Sequence, residues 1–226
     1  MLKSSLQIAL VLFMPYLAAR ELNDVLPDRY PDVYEEVAVL PFNDHGWYPH
    51  GQRFERIIRD YKIKNVLEVG SWLGASTRHF ATLIPDGGKV YAIDHWLGSE
   101  EHLQMHVRDW LPTLYQQFLS NVIHMQLVDK IVPVRMNSLE AAKKLKALNL
   151  DIDLVYIDAA HDYESVYKDI CAWYPYIAEK GIMTGDDWHH GPIQQAVERF
   201  AHENNLQIIS DNNFWMIAPT HTMNEK

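Results

Sequence analysis

Four short stretches of this 226-residue chain place acids beside glycines or histidines. The first is Glu68-Val-Gly-Ser-Trp-Leu-Gly74, the second Asp94-His95, the third Asp158-Ala-Ala-His161, and the fourth Gly185-Asp-Asp-Trp-His-His190. Each closes an apolar run. Gly70 and Gly74 let the backbone turn tightly and come close to a ligand, and a helix N-terminus after them offers free N–H groups. Their spacing is G-x-x-x-G. A dinucleotide fold wants G-x-G-x-x-G, and a phosphate loop ends in Gly-Lys-Ser/Thr, so neither is matched. Asp94 lies 26 residues after Glu68, where a second-strand acid accepts hydrogen bonds from ribose hydroxyls. Any one of these acids could equally be a turn former or helix cap. Four such places, with histidines, make a stronger pattern.

These residues need a frame that brings strand ends together. Apolar runs at 65–70, 89–94, 131–136, 152–158 and 181–186 read as strands, although Pro133 weakens the third. Helical patterns fall at 51–61, 77–84, 138–148, 163–178 (kinked at Pro175) and 192–204. Segments 207–210 and 214–218 flank Asp211-Asn212-Asn213, a hairpin signal. The stretch 97–129 is too long for one crossover and predicts two helices broken near Leu111-Pro112. Residues 23–49, rich in Pro and Asp, read as irregular with a short helix near 33–37. Alternating strands and helices predict an α/β, doubly wound, mostly parallel sheet with an antiparallel C-terminal hairpin. In such sheets ligands bind beyond the carboxyl ends of the strands.

With that frame, the chain resembles the class I S-adenosylmethionine-dependent methyltransferases. The resemblance rests on Glu68-Val-Gly-Ser-Trp-Leu-Gly74, Tyr91-Ala-Ile-Asp94, Val134-Arg-Met-Asn-Ser138, Val155-Tyr-Ile-Asp158-Ala-Ala-His161 and Gly185-Asp-Asp187, and covers about residues 50–219. Within the class it is most similar to the small metal-dependent O-methyltransferases, of the catechol type and the antibiotic- and sugar-modifying type. It departs from the wider class in the first turn, where Trp72 stands in the region of a middle glycine. The resemblance implies a Rossmann-like seven-stranded sheet. It makes Glu68, Gly70, Ser71 and Gly74 the methionine-side wall and Asp94 the ribose acceptor. Asn137 and Ser138 would border the adenine, with Asp158 also at the cofactor. Asp158, Asp186 and Asp187 would hold a divalent cation, Mg²⁺ being the expected one.

Oxygen ligands suit a hard ion, and three carboxylates without one would repel and raise each other's pKa. The plain alternative is that Asp186 or Asp187 caps the next helix. His161 stands at the offset where catechol-type relatives carry a lysine base and sugar-modifying ones a histidine. A histidine there can take a proton from a hydroxyl whose pKa a metal has lowered. A structural histidine or a fourth ligand are the other readings. His189 and His190 read as pocket or surface residues. Trp47, Tyr48, His50, Trp96 and Trp188 could line an acceptor pocket or simply fill the core. The 97–129 stretch is expected to cover the site.

Composition sets the outer bounds. Thirty acids against 20 bases give a formal charge of −10, which excludes nucleic acid as the main partner. The single cysteine, Cys171, excludes an internal disulfide framework and a cysteine-built zinc site. Residues 1–20 carry Lys3, Arg20 and a short apolar run, the pattern of a secretory signal or of a helix docked on the domain. A cofactor made in the cytosol favours the docked helix and a cytoplasmic enzyme, with membrane association as the alternative. The division is then a segment 1–20, an irregular cover 21–49, a methyltransferase domain 50–219 and a tail 220–226. The expected partner is a small hydroxylated molecule (sugar, polyketide-like or phenolic), with self-association into a homo-oligomer left open. Two other functions fit the acids: a nucleotide-sugar-dependent glycosyltransferase, or a catalytically inactive methyltransferase-like binding domain.

Overall fold

Strand β1 (Asn65–Val69) lies inside one seven-stranded sheet in a computed structural model that describes residues 21–218. The readings made for residues 1–20 and for the tail lie outside the described residues. The other strands are β2 (Lys89–Asp94), β3 (Ile131–Arg135), β4 (Ile152–Ile157), β5 (Ile177–Gly185), β6 (Gln207–Asp211) and β7 (Phe214–Ala218). Their order is β3-β2-β1-β4-β5-β7-β6. The first five are parallel, and β7 runs antiparallel to both its neighbours. The doubly wound sheet and its closing hairpin are therefore as the sequence predicts. The inner strands are buried on both faces, which is why their sequences read as unbroken apolar runs.

Helices α1 (Gly51–Asp60), α2 (Ala75–Leu83), α3 (Leu114–His124), α4 (Ser138–Leu145), α5 (Tyr163–Trp173) and α6 (Gly191–Glu203) connect or flank these strands. Pro133 is accommodated because β3 is an edge strand, paired only with β2. Three expectations need correction. The 97–129 stretch holds one α-helix, not two. Ahead of it come the short 3₁₀ turns Glu101–Gln104 and Arg108–Thr113, the second containing Pro112. The helix after β4 stops at Trp173, because Pro175 cannot continue it and a 3₁₀ turn Tyr174–Tyr176 follows. Strand β5 starts four residues early, and its register against β4 shifts so that Ile152 faces Ile177 but Leu154 faces Ile182.

The cover 21–49 is pinned rather than loose. Helix α3 presents Gln116, Gln117, Ser120, Asn121 and His124 to the backbone of residues 38–43. Asn121 bonds Asn43 through both its amide groups and also donates to the Leu73 carbonyl, 2.9 Å away. Polar side chains on one helix face thus supply partners for an extended chain that has no sheet neighbour. Among the described residues, no helix is long and apolar enough to cross a membrane.

Candidate active site

The chain leaves β1 toward β2 on one side and reaches β4 on the other, so a crevice opens over the ends of β1 and β4. All four acid-bearing stretches reach this edge. At its floor, Gly70 has φ 90° and a Cβ there would lie 1.9 Å from the Asp158 carbonyl oxygen. Only glycine fits both the angle and the gap. Gly74, at φ 82°, starts α2. Trp72 takes φ 49°, a left-handed conformation unusual for an aromatic residue.

Glu68 and Asp94 are the framework of that turn. Glu68 is fully buried and accepts from the hydroxyls of Ser71 (2.8 Å), Ser76 (2.5 Å) and Thr77. Burial pushes its carboxyl up to about 7 against the pull of those three bonds. Its carboxylate therefore faces the core and does not wall the crevice directly. Asp94 accepts from the amides of Ser71 and Trp72 at 3.0 Å on one oxygen and from Trp96 at 2.7 Å on the other. It holds the turn closed against β2.

Asn137 and Ser138 are spent locally. Asn137 caps α4 by accepting from Leu139, and the Ser138 hydroxyl donates to Asp169 at 2.5 Å while accepting from Trp173 at 2.8 Å. The expected adenine border is thus not offered by the Ser138 hydroxyl.

The other half of the crevice is crowded with charge. Asp158, Asp186, Asp187 and His161 line one cavity of about 10 Å³, room for roughly one water-sized body. The Asp158 carboxyl is driven well above the carboxylate range by burial and by the charges of Asp186 and Asp187, and Tyr156 donates to it at 3.1 Å. Asp186 is buried against His50, 2.9 Å from Nε2, and also accepts from the Asp187 amide at 2.7 Å. Asp187 meets His161 Nε2 at 3.1 Å and accepts from Asn213 at 2.9 Å. The bond from His161 holds its carboxyl below the usual range. His161 in turn is pushed up to about 9, chiefly by Asp187, and its Nδ1 lies 3.3 Å from Glu101.

The donor chemistry of the three aspartates suits a hard ion, and their mutual repulsion is what a cation would relieve. The arrangement is not a finished coordination site. Each carboxylate already has a protein partner, and among the described residues no three His, Cys, Asp or Glu side chains stand grouped to hold a metal ion.

Of the aromatics named as pocket candidates, Trp96 is core: it is buried between Tyr115 and Phe118. Tyr48 packs on Phe54 and Phe80, with its hydroxyl on His79. Trp47 remains about half exposed and faces Trp72 and His102. His50, Glu101 and Asn213 are the neighbours that no sequence pattern pairs with the acids or with His161. His50 sits 136 positions from Asp186 and Glu101 60 from His161, and no local pattern announces either contact. A larger cavity, about 410 Å³, lies among Val33, Val37, Leu111, Tyr115 and Arg135 and contains none of the strand-end acids.

A sheet in this order, with a reversed seventh strand and acids at the mouths of β1, β2, β4 and β5, defines a class I methyltransferase fold. The chain belongs to the methyltransferase domain family, whose profile matches residues 67–188, more than half its length. It is thereby an S-adenosylmethionine-dependent methyltransferase, and the nucleotide-sugar alternative is set aside. Solved structures agree on the fold. One is the O-methyltransferase TomG from Streptomyces achromogenes, involved in tomaymycin synthesis and in complex with S-adenosylmethionine. It is 14% identical with a TM-score of 0.60, over 78% of this chain and 82% of that one. Another is the O-methyltransferase from Bacillus cereus in complex with S-adenosylhomocysteine, 17% identical with a TM-score of 0.56, over 78% and 83%. No curated protein sequence matches the chain.

Proposed function

We propose that this enzyme transfers the methyl group of S-adenosylmethionine to an oxygen of a small hydroxylated acceptor, such as a sugar, a phenol or a polyketide-like molecule. The observation that carries this reading is His161, held by Asp187 just past the end of β4, which borders the switch point of the sheet. An imidazole so oriented can take the acceptor proton as the oxygen attacks the sulfonium methyl. The O–C bond forms, the S–C bond breaks, and S-adenosylhomocysteine leaves.

In this reading the backbone of Gly70, Ser71 and Gly74 receives the methionine end of the cofactor. Asp94 is the ribose acceptor, with lone pairs left beyond its three amide bonds. Glu68 acts through the turn it braces. Asp158 closes the cofactor side, and the α4 start at Asn137 and Ser138 borders the base with its backbone. A divalent ion such as Mg²⁺ belongs to the same proposal. Asp158, Asp186 and Asp187 would hold it, and it would supply neutralisation of their charge and a lowered pKa for a bound hydroxyl. The protein's own part is to orient acceptor and cofactor and to control the proton on His161. Asp187 and Glu101 push that ring up to about 9 in the absence of an ion, and a cation held by Asp187 would draw it back down.

The test is formation of S-adenosylhomocysteine from S-adenosylmethionine against a panel of sugars, phenols and polyketide-like alcohols, with matched amines and thiols alongside. Transfer to amines or thiols only would overturn the oxygen assignment. A rise in melting temperature with Mg²⁺ that is lost in Asp158→Ala supports the ion site, and an unchanged melt in both overturns it.

A further inference from the structure

The 3₁₀ turn Glu101–Gln104 bridges the crevice. At one end the Glu101 carboxylate lies 3.3 Å from His161 Nδ1, just past β4. At the other, the His102 ring stacks on Trp72 of the β1 turn, centroids 4.4 Å apart and planes 21° from parallel, and on Trp47 at 5.9 Å. The turn fixes His102 internally, since the Ser99 amide reaches its Nδ1 at 2.9 Å. Gly98, at φ 75°, precedes it, and Val107, fully buried, follows it. Between these anchors Leu103 and Met105 stay exposed, so the segment is held by these side-chain contacts, and by the His106 ring 5.7 Å from His45, more than by burial.

Asp187 already occupies Nε2 of His161. With Glu101 on Nδ1, the ring has no nitrogen free for an acceptor. We propose that Glu101 is a gating residue. Its carboxylate ties the turn across the crevice and occupies the position on His161 that an acceptor hydroxyl must take, so acceptor and Glu101 compete for one site. This rests on the reading of His161 as the proton acceptor. The tie is built to open: Glu101 is two-thirds exposed, and an exposed pair of this kind is weak. His102 on Trp72 is then the hinge-side contact that brings the turn back.

The test compares wild type with Glu101→Ala and Glu101→Gln by hydrogen exchange of residues 97–107, thermal melting, and stopped-flow association of S-adenosylhomocysteine read by tryptophan fluorescence. Glu101→Ala should speed exchange in that segment and cofactor association about two- to fivefold, as expected for loss of an exposed pair. Glu101→Gln should fall between, and the melting temperature should not move. Unchanged exchange in Glu101→Ala overturns the gate. So does a lowered melting temperature with exchange raised throughout the fold, which marks Glu101 as a structural residue only. Failure of wild type to bind S-adenosylhomocysteine overturns the cofactor reading instead, and the exchange comparison still decides the gate.

Discussion

The two halves of the crevice use the same residue type in opposite ways. At the mouths of β1 and β2, Glu68 and Asp94 are satisfied by hydroxyls and amides of the turn they hold. At the mouths of β4 and β5, Asp158, Asp186 and Asp187 crowd one small cavity; Asp186 and Asp187 rely on histidines, and Asp158 on the Tyr156 hydroxyl. A carboxylate that accepts several neutral donors builds a rigid surface, whereas like charges kept together hold electrostatic free energy that a ligand can release. The first half is framework, and the second is where proton and charge can move.

The two halves meet where Gly70 lies against the Asp158 carbonyl. Gly70→Ala would drive a Cβ into the Asp158 carbonyl at a positive φ. It should cost more than about 4 kcal/mol in urea unfolding. A near-wild-type midpoint would show that the halves are not locked together. Next is His161→Ala, in the mobile-charge half, which should lower methyl transfer about 10²- to 10⁴-fold. Calorimetric binding of S-adenosylhomocysteine should stay unchanged, and a matching loss of binding would place His161 in the framework.

Glu68→Gln tests the framework half through pH. Below about pH 4.5 Glu68 is protonated whether the chain is folded or not. Between about 4.5 and 7 the unfolded chain gives up that proton while the folded one keeps it, so stability falls as pH rises. Above 7 the loss is complete, roughly 3 kcal/mol in all. The glutamine variant cannot ionise, so the wild type should lose stability relative to it across that window in denaturant titrations at stepped pH. A constant difference would remove the raised pKa. The smallest effect is expected for Asp94→Asn, about 1–2 kcal/mol from weakened amide bonds in the turn. Its melt should drop with little change between low and high salt, because the lost partners are neutral.

Much of the fold was legible because buried parallel strands are written as apolar runs and their ends as glycine and aspartate. The first turn, the four mouth positions and the closing hairpin follow from residues 65–74, 94, 158–161, 185–187 and 207–218. Direction within the site was not legible. Whether Glu68 faces the crevice or the core depends on Ser71, Ser76 and Thr77 closing over it in three dimensions. That the Ser138 hydroxyl is taken up by Asp169 and Trp173 of α5, leaving only its backbone for a ligand, is likewise a matter of packing. His50 reaches Asp186, and Glu101 reaches His161, from segments without periodicity, so their pairing is a product of packing alone.

The edge position of β3 has a consequence for how the protein behaves in concentrated solution. Pro133 has no N–H to offer an incoming strand, and the Tyr34 hydroxyl already donates to the Ile131 carbonyl at 2.9 Å. That border is a poor template for a second molecule. Among the described residues the opposite border, β6, is more open: Ile209 is exposed there, and the charge of Asp211 is shared with Arg53. Of the two borders formed by the described residues, β6 is thus the one more open to strand addition, and Gln207, Ser210 and Asp211 are the polar residues that discourage it.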